Sequence, residues 1–149
     1  MDGSGEPDTF VNQYTSHLNS LDVLDGGAGK DTLNVETEGA IATVTANISN
    51  IETINLKSGS TVTFDTTTFT GVETLNVVKG TSATLTSAAT TNVNVSGLTG
   101  DITVNGGKAV AVVDATTDTD ITVTSAAGAV TITDTKQGTG DIVVDKAAA

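Results

Sequence analysis

The sequence predicts an all-β protein, a parallel two-sheet β-solenoid of about six coils with about 20 residues in each coil. Three observations predict this fold. Apolar and polar residues alternate with a period of two along short segments rich in Thr, Val and Ile, a pattern typical of half-buried strands. Turn-forming Gly, Ser, Asn and Asp residues separate these segments. A five-residue phrase also recurs along the chain, which a stacked repeat explains directly.

The recurring phrase defines the coil. Four copies are recognisable, at residues 31–35 (DTLNV), 52–56 (ETINL), 73–77 (ETLNV) and 91–95 (TNVNV). Successive copies are 21, 21 and 18 residues apart. Other strand-like segments lie between and after these copies, at residues 42–46, 61–64, 83–86, 101–104, 120–123 and 141–144. Two strands and two turns therefore make one coil, and each strand is expected to pair in parallel with its equivalent about 4.8 Å away.

The alternation assigns one face of each strand to the core. In the first sheet the residues expected to face inward are Leu33, Val35, Ile54, Leu56, Leu75, Val77, Val93 and Val95. In the second sheet they are Val44, Val62, Phe64, Leu85, Ile102, Val104, Ile121 and Val123. Outward residues are expected to stack into polar ladders. The ladders join Thr32/Asn34, Thr53/Asn55, Thr74/Asn76 and Asn92/Asn94 in one sheet, and Thr43/Thr45, Thr61/Thr63, Thr84/Thr86 and Thr122/Thr124 in the other.

Two alternatives stay open at this point. An antiparallel β-sandwich also needs many short strands, although it does not require similar sequence at a fixed step. Residues 11–24 are the one stretch with a plausible helical pattern.

Composition excludes several classes of function. Eighteen acidic residues against six Lys and no Arg give a formal net charge of −12, whereas nucleic-acid binders need a basic face. The chain has no Cys, so disulfides, thiol catalysis and Cys-bound metals are excluded. No run of 18 apolar residues predicts a membrane span. The single histidine, His17, lies beside Ser16 in a polar stretch, and we expect no catalytic triad and no enzyme.

One Gly-rich segment has the sequence pattern of a metal-binding loop. Residues 25–34 (DGGAGKDTLN) match the GGxGxDxUx pattern of calcium-binding β-rolls at every fixed position. Its glycines permit tight turns that aim carbonyl oxygens inward, and Asp31 adds a hard carboxylate. Ca²⁺ takes about six to eight oxygens, so one such loop supplies about half of the ligands. The alternative is a tight Gly-rich turn with a solvated Asp.

The remaining ligands are expected from the segment one coil earlier. Residues 3–10 (GSGEPDTF) have a similar order of Gly, turn residues, Asp, Thr and an apolar residue, although Pro7 and a single Gly depart from the pattern. Asp8 precedes Asp31 by 23 residues, close to one coil. The predicted calcium ligands are Gly3, Gly5, Asp8, Asp25, Gly27, Gly29 and Asp31.

Other carboxylates are expected to stack in successive coils. The two sets are Asp31, Glu52 and Glu73, and Asp101, Asp120 and Asp141. Like charges about 5 Å apart repel, so these side chains are expected to point into water or to be bridged by cations. A local acidic cluster of Asp114, Asp118 and Asp120 is a further candidate for weak calcium binding.

These residues also carry a family resemblance. Residues 22–35 (DVLDGGAGKDTLNV) resemble RTX-type proteins secreted by bacteria, and in particular their surface-layer and large-adhesin members. Residues 50–56 (NIETINL) and 71–77 (GVETLNV) resemble phrases in the Thr-rich repeats of those proteins, and the resemblance covers roughly residues 3–80. It implies an extracellular, calcium-dependent β-solenoid exported by type I secretion. In surface-layer members such solenoids build a lattice on the cell, with calcium supporting folding and assembly.

The predicted function is therefore a structural module of an extracellular bacterial surface-layer protein that folds and assembles with calcium. The alternatives are a calcium-stiffened stalk of a large RTX adhesin and an ice-binding solenoid that uses its Thr ladder. Expected partners are further copies of the chain, neighbouring domains of a longer parent, or a cell-surface glycan. Residues 1–146 are expected to form one domain, with an RTX-like calcium-binding start at 1–35 and Thr-rich coils at 36–146. Residues 147–149 resemble a cloning scar on an excised fragment.

Overall fold

The structure is a computed structural model that describes residues 5–13, 18–114, 116–136 and 138–146. These residues form strands and turns with no helix among them. The strands are β1 (Thr9–Asn12), β2 (Val23–Asp25), β3 (Thr32–Thr37), β4 (Asn47–Ser49), β5 (Thr53–Ser58), β6 (Val62–Asp65), β7 (Thr74–Lys79), β8 (Ala83–Ser87), β9 (Asn92–Ser96), β10 (Ile102–Gly106), β11 (Val110–Asp114), β12 (Ile121–Thr124), β13 (Val130–Asp134) and β14 (Ile142–Asp145). The helix that the pattern at residues 11–24 suggested is not found among the described residues of that stretch. Its first two residues belong to β1 and its last two belong to β2.

The strands build two long sheets that wind together as a solenoid. The first sheet stacks β1, β3, β5, β7, β9, β11 and β13, and the second stacks β6, β8, β10, β12 and β14. Every pairing between these strands is parallel. The chain therefore forms a β-solenoid of about six coils, which confirms the predicted fold and removes the antiparallel sandwich.

The sequence repeat sets the register of the first sheet. Leu33 pairs with Ile54, Ile54 pairs with Leu75, and Leu75 pairs with Val93. All the residues predicted to face inward in the two sheets are buried. Because the apolar side chains meet between the sheets, a slip of one residue would expose every one of them to water.

The early coils have a third side that the sequence pattern does not predict. Residues 42–46 do not form the predicted strand, and only Ile41 makes an isolated parallel bridge to Val62. The chain instead forms β4, which pairs in parallel with β2, and Ser49 makes a further bridge to Thr70. Within the described residues no second-sheet strand precedes this point, so residues 42–46 would have ladder partners on one side only.

The outward residues form the predicted asparagine ladder in the first sheet. Asn55 Nδ2 donates to Asn34 Oδ1 over 2.8 Å, Asn76 repeats this contact with Asn55, and Asn94 repeats it with Asn76. All three bonds run in the same direction along the solenoid. They connect four successive coils on the surface of the sheet, in addition to the backbone hydrogen bonds.

The threonine ladder of the second sheet differs in register from the prediction. Thr63, rather than Thr61, pairs with Thr84, because Val62 and Phe64 align their buried side chains with Ala83 and Leu85. The observed column contains Thr63, Thr84, Thr103 and Thr122 in four successive strands, and Val143 of β14 follows Thr122. The neighbouring column contains Asp65, Thr86, Asn105, Thr124 and Asp145 and is chemically mixed.

Candidate functional site at the Gly-rich turn

The Gly-rich segment is the turn that carries the chain from β2 to β3. Gly27 and Gly29 have φ angles of 84° and 138°, in the region that side chains disfavour. The N–H of Gly26 donates to the carbonyl oxygen of Ser49 over 3.0 Å, and the N–H of Gly27 donates to Asp25 Oδ1 over 3.1 Å. The turn is thus fixed against the next coil at its start.

Gly26 is required by a close approach between two backbones. A Cβ atom on this residue would lie 1.8 Å from the carbonyl oxygen of Asn50 and 2.8 Å from Asp31 Oδ2. No side chain fits in that space, so the two oxygens face a point that only a glycine leaves open. The nonapeptide pattern contains this glycine but does not distinguish its role from those of Gly27 and Gly29.

Asp31, at the end of the turn, is a fully buried carboxylate with 0% of its surface exposed. Its Oδ1 accepts the N–H of Asp8, one coil earlier, over 2.7 Å. Its own N–H donates to Glu52 Oε2, one coil later, over 2.7 Å. Its Oδ2 is buried and has no hydrogen-bond partner among the described residues. A buried acceptor that lacks a donor is costly, and an oxygen of this kind suits a cation.

Asp25 lies on the more open side of the same turn. Its Oδ1 accepts a hydrogen bond from Asn50 Nδ2 over 2.8 Å. This bond and the weaker one from the N–H of Gly27 lower the pKa of Asp25 below its ordinary value of 3.8. The side chain is therefore a carboxylate at neutral pH, with both hydrogen bonds directed to the same oxygen.

The turns of the first two coils lie against each other. A Cβ on Gly29 would lie 3.0 Å from the backbone of Glu6, and the N–H of Thr32 donates to the carbonyl oxygen of Asp8 over 2.9 Å. Gly5 has open space where a Cβ would be. Gly3 lies outside the described residues. The structure therefore brings Asp8, Gly29 and Asp31 together across two coils.

The donor set contains few carboxylates. Across residues 5–13, 18–114, 116–136 and 138–146, no group of three or more His, Cys, Asp or Glu side chains gathers in a way that could hold a metal ion. A cation at this turn would therefore take most of its oxygens from backbone carbonyls, with Asp31 Oδ2 as the charged ligand. Calcium accepts such mixed sets, whereas zinc prefers nitrogen and sulfur.

Two residues of this site lie outside the motif. Glu52 caps the N–H of Asp31, and Asn50 supplies both the amide that binds Asp25 and the carbonyl that faces Gly26. A signal for Glu52 was present, because it occupies the place of Asp31 in the repeat, 21 residues later. Lys30 is also engaged, since its Nζ forms an exposed ion pair with Glu73 Oε2 at 2.7 Å, two coils away.

The later set of stacked carboxylates also caps backbone amides. Asp101 Oδ1 accepts the N–H of Asp120 over 3.1 Å, and Asp120 Oδ1 accepts the N–H of Asp141 over 2.9 Å. These side chains stay exposed to water, as expected. The carboxylates of Asp101 and Asp120 each accept an amide N–H of the following coil, and this hydrogen bond offsets part of the repulsion between neighbours.

In the part of the chain that the structure describes, Asp114, Asp118 and Asp120 do not gather into a group that could hold a metal ion. Asp114 is buried and accepts the N–H and the hydroxyl of Thr116 on one oxygen. Asp118 accepts the N–H of Thr139, whereas Asp120 accepts that of Asp141. The three carboxylates therefore have different partners and do not converge.

Asp118 provides a test of the amide-capping contacts by pH. The N–H and then the hydroxyl of Thr139 lower the pKa of Asp118 below its ordinary value of 3.8. Because the folded pKa is lowered, the hydrogen bonds to Asp118 stabilise the fold fully above the ordinary pKa of 3.8. This stabilisation is lost as the pH falls through the folded pKa. We expect Asp118→Asn to have a modestly lower melting temperature than the unmodified chain at about pH 7, and the difference to shrink as the pH falls through the folded pKa of Asp118. A difference that grew on acidification would contradict this assignment.

Neither a scan against protein-family models nor a search of curated proteins gives a match to this chain. None of the described residues forms a helix long and apolar enough to cross a membrane.

Proposed function

We propose that the chain is a non-catalytic structural module of a secreted bacterial surface protein, a β-solenoid stabilised by calcium at its Gly-rich turn. The observation that carries the proposal is the buried Oδ2 of Asp31, which lacks a hydrogen-bond donor among the described residues. A carboxylate oxygen in this position destabilises the chain unless positive charge reaches it. The Gly-rich turn around it has the spacing of calcium-binding loops.

The residues that would hold the ion belong to two neighbouring turns. Asp31 supplies a charged oxygen, and Asp25 is a second carboxylate in the same turn. Backbone carbonyls of the turn that contains Gly27 and Gly29 would supply neutral oxygens. The N–H of Asp8, in the preceding coil, holds Asp31 Oδ1 in place. Bound calcium would supply the positive charge and the multiple oxygen contacts that hold the first coils together.

The rest of the fold supports a structural role. The described coils are joined by short turns, and their outer faces carry ladders of Asn and Thr rather than a cleft with converging titratable groups. A net charge of −12 keeps such a chain apart from nucleic acids and favours cation-dependent behaviour. The resemblance of residues 22–35 and 50–77 to surface-layer sequences favours a cell-surface lattice over other structural roles.

Thermal unfolding in calcium and in chelator tests the proposal. We expect the melting temperature, followed by circular dichroism, to rise in about 5 mM calcium, enough to saturate an extracellular-type site. At a concentration 100-fold above Kd, the linkage corresponds to about 2.7 kcal/mol of added stability. Magnesium at the same concentration is the control, because it dehydrates reluctantly and demands octahedral geometry. Equal melting temperatures in calcium and in chelator would contradict the calcium site.

Light scattering separates the two structural roles. A lattice subunit should form particles that grow with calcium and with protein concentration. The stalk of an adhesin should instead stay a single rigid rod under the same conditions. Because assembly of folded chains also raises the apparent stability, the melting temperatures are compared at a protein concentration at which scattering shows single chains. The ion and the role are then tested separately.

Ice binding is a second candidate, favoured by one specific observation. Thr63, Thr84, Thr103 and Thr122 form a column over four successive strands of the second sheet, spaced by the coil repeat of about 4.8 Å, before Val143 ends it. The adjacent column interrupts the pattern with charged and amide side chains, which disfavours a flat ice-matching plane. Thermal hysteresis that disappears in Thr84→Tyr would establish this role, and its absence from the unmodified chain would remove it.

A further inference from the structure

The buried carboxylate of Asp31 has one engaged oxygen and one unpartnered oxygen, and they are oriented to different coils. Oδ1 accepts the N–H of Asp8, in the preceding coil of β1, over 2.7 Å. Oδ2 has no hydrogen-bond partner among the described residues. The oxygen that lies beside Gly26 together with Oδ2 is the backbone carbonyl oxygen of Asn50, in the following coil of β4 and β5. The unpartnered oxygen is thus the one that faces the following coil.

Gly26 shows that the two oxygens border one space. The position that a Cβ on Gly26 would take lies 1.8 Å from the Asn50 carbonyl oxygen and 2.8 Å from Asp31 Oδ2. Two oxygens in such an arrangement, one of them charged and buried, repel each other unless a positive charge lies near both. Calcium is bound in proteins by mixtures of carboxylate and backbone carbonyl oxygens of this kind.

Asn50 has a backbone conformation that few residues other than glycine adopt. Its φ angle is 52°, in the left-handed region. A parallel bridge between Ser49 and Thr70 makes Gly71 the equivalent residue one coil later, and Gly71 has a φ angle of 92°. The turn therefore needs a left-handed residue at this position. Asn50 meets that need with a residue that also carries an amide side chain.

Hydrogen bonds hold Asn50 against both neighbouring coils. Its N–H donates to the carbonyl oxygen of Thr70 over 2.9 Å, and its Nδ2 donates to Asp25 Oδ1 over 2.8 Å. The N–H of Gly26 donates to the carbonyl oxygen of Ser49, the preceding residue, over 3.0 Å. The Asn50 carbonyl is therefore held in place before any ion binds, which lowers the entropic cost of binding one.

From these contacts we propose that the backbone carbonyl of Asn50 is a calcium ligand, so that the ion joins the coil of Asp31 to the coil that follows it. This inference rests on the calcium site proposed above. It differs from the expectation from sequence, which took the remaining ligands from the coil of Asp8. The ion then fastens the turn between β4 and β5 to the Gly-rich turn, on the third side of the early coils.

Calcium titrations of three variants measure the contribution of this carbonyl. A substitution cannot remove a backbone carbonyl, but Asn50→Val disfavours the left-handed conformation. We expect Asn50→Val to raise the calcium Kd at least about 10-fold in isothermal titration calorimetry. Asn50→Gly adopts that conformation readily and loses only the side-chain bond to Asp25, so it should raise the Kd less. The matched control is Ser125→Val, at a distant residue with a φ angle of 56°, which should leave the Kd unchanged.

NMR on the unmodified chain gives an answer even if Asn50→Val fails to fold. As calcium is added, the carbonyl carbon resonance of Asn50 should shift together with the side-chain carboxyl resonance of Asp31, while the carbonyl resonance of Ser125 stays in place. A shift at Asp31 with none at Asn50 would overturn the inference and leave the calcium site intact. A carbonyl shift at Glu6 in place of Asn50, or equal Kd values for Asn50→Val and Asn50→Gly, would have the same meaning. If calcium caused neither heat nor shifts, both the inference and the proposed function would be wrong.

Discussion

Gly26→Ala is expected to lower the free energy of unfolding by more than about 3 kcal/mol, a loss at the upper end for single substitutions. The new methyl group would lie 1.8 Å from the carbonyl oxygen of Asn50, and a backbone atom cannot move aside as a flexible side chain does. Relief would require the Gly-rich turn to separate from the next coil, and the hydrogen bond from the N–H of Gly26 to Ser49 would then be lost. Chemical denaturation followed by circular dichroism measures the change.

Gly39→Ala is the matched control for this substitution. A Cβ there meets only the Thr37 hydroxyl oxygen, at 3.8 Å, which is ordinary contact. The expected change is within about 1 kcal/mol and favours the variant, because alanine restricts the unfolded chain more than glycine does. If the two variants were equally stable, the close approach at Gly26 would not be a constraint on the fold.

The repeat is the part of this fold that the sequence predicts well. Leu33, Ile54, Leu75 and Val93 sit at equal places in a phrase that returns every coil, and they stack in that order in the first sheet. Alternation with a period of two is a property of each strand by itself, so the buried faces follow from local sequence. The stacking of equivalent residues then follows from the nearly constant step.

The parts that sequence reasoning misses depend on what lies one coil away. Residues 42–46 alternate as a strand should, yet the preceding coil offers them no described partner strand in the second sheet. Thr61 resembles a ladder residue, but the alignment of Phe64 with Leu85 brings Thr63 to that place. These outcomes are set by tertiary pairing, which a local pattern does not contain.

The candidate site is likewise predicted only in part by the sequence. The motif identifies Asp31 and the glycines, because turn chemistry is local. It does not reveal that Asp31 is fully buried, that one of its oxygens accepts the N–H of Asp8 and that the other has no described donor. Whether that second oxygen matters for function is the question that a substitution at Asp31 addresses most directly.

Asp31→Asn is expected to change the stability in opposite directions in chelator and in calcium. The amide keeps the oxygen that accepts the N–H of Asp8 and removes a negative charge from a fully buried position. In chelator the variant should therefore be as stable as the unmodified chain or more stable by about 1 kcal/mol. The reason is that the substitution removes a buried negative charge that no described cation neutralises. In calcium at 100-fold above Kd, the unmodified chain should gain about 2.7 kcal/mol and the variant almost none.

Asp118→Asn separates this effect from a general loss of negative charge. Asp118 lies in a different turn, near the other end of the chain, and its described partner is Thr139. This variant should keep the full calcium-dependent gain in melting temperature while it loses the same unit of charge. If Asp31→Asn also kept that gain, the ion would not contact Asp31, and the proposed site would be wrong.

Comparing chelator with calcium also shows whether the buried carboxylate of Asp31 binds an ion or only destabilises the fold. If Asp31→Asn stabilises the chain in chelator and calcium leaves the unmodified chain unchanged, the unpartnered oxygen of Asp31 is only a cost. The Gly-rich turn would then be a structural turn of a Thr-rich solenoid. The other outcome is that Asp31→Asn is the more stable chain in chelator and the unmodified chain is the more stable one in calcium. The bound ion then offsets the destabilisation caused by the buried carboxylate. The chain would then fold most stably in calcium-rich surroundings, which is the behaviour expected of a module that works outside the cell.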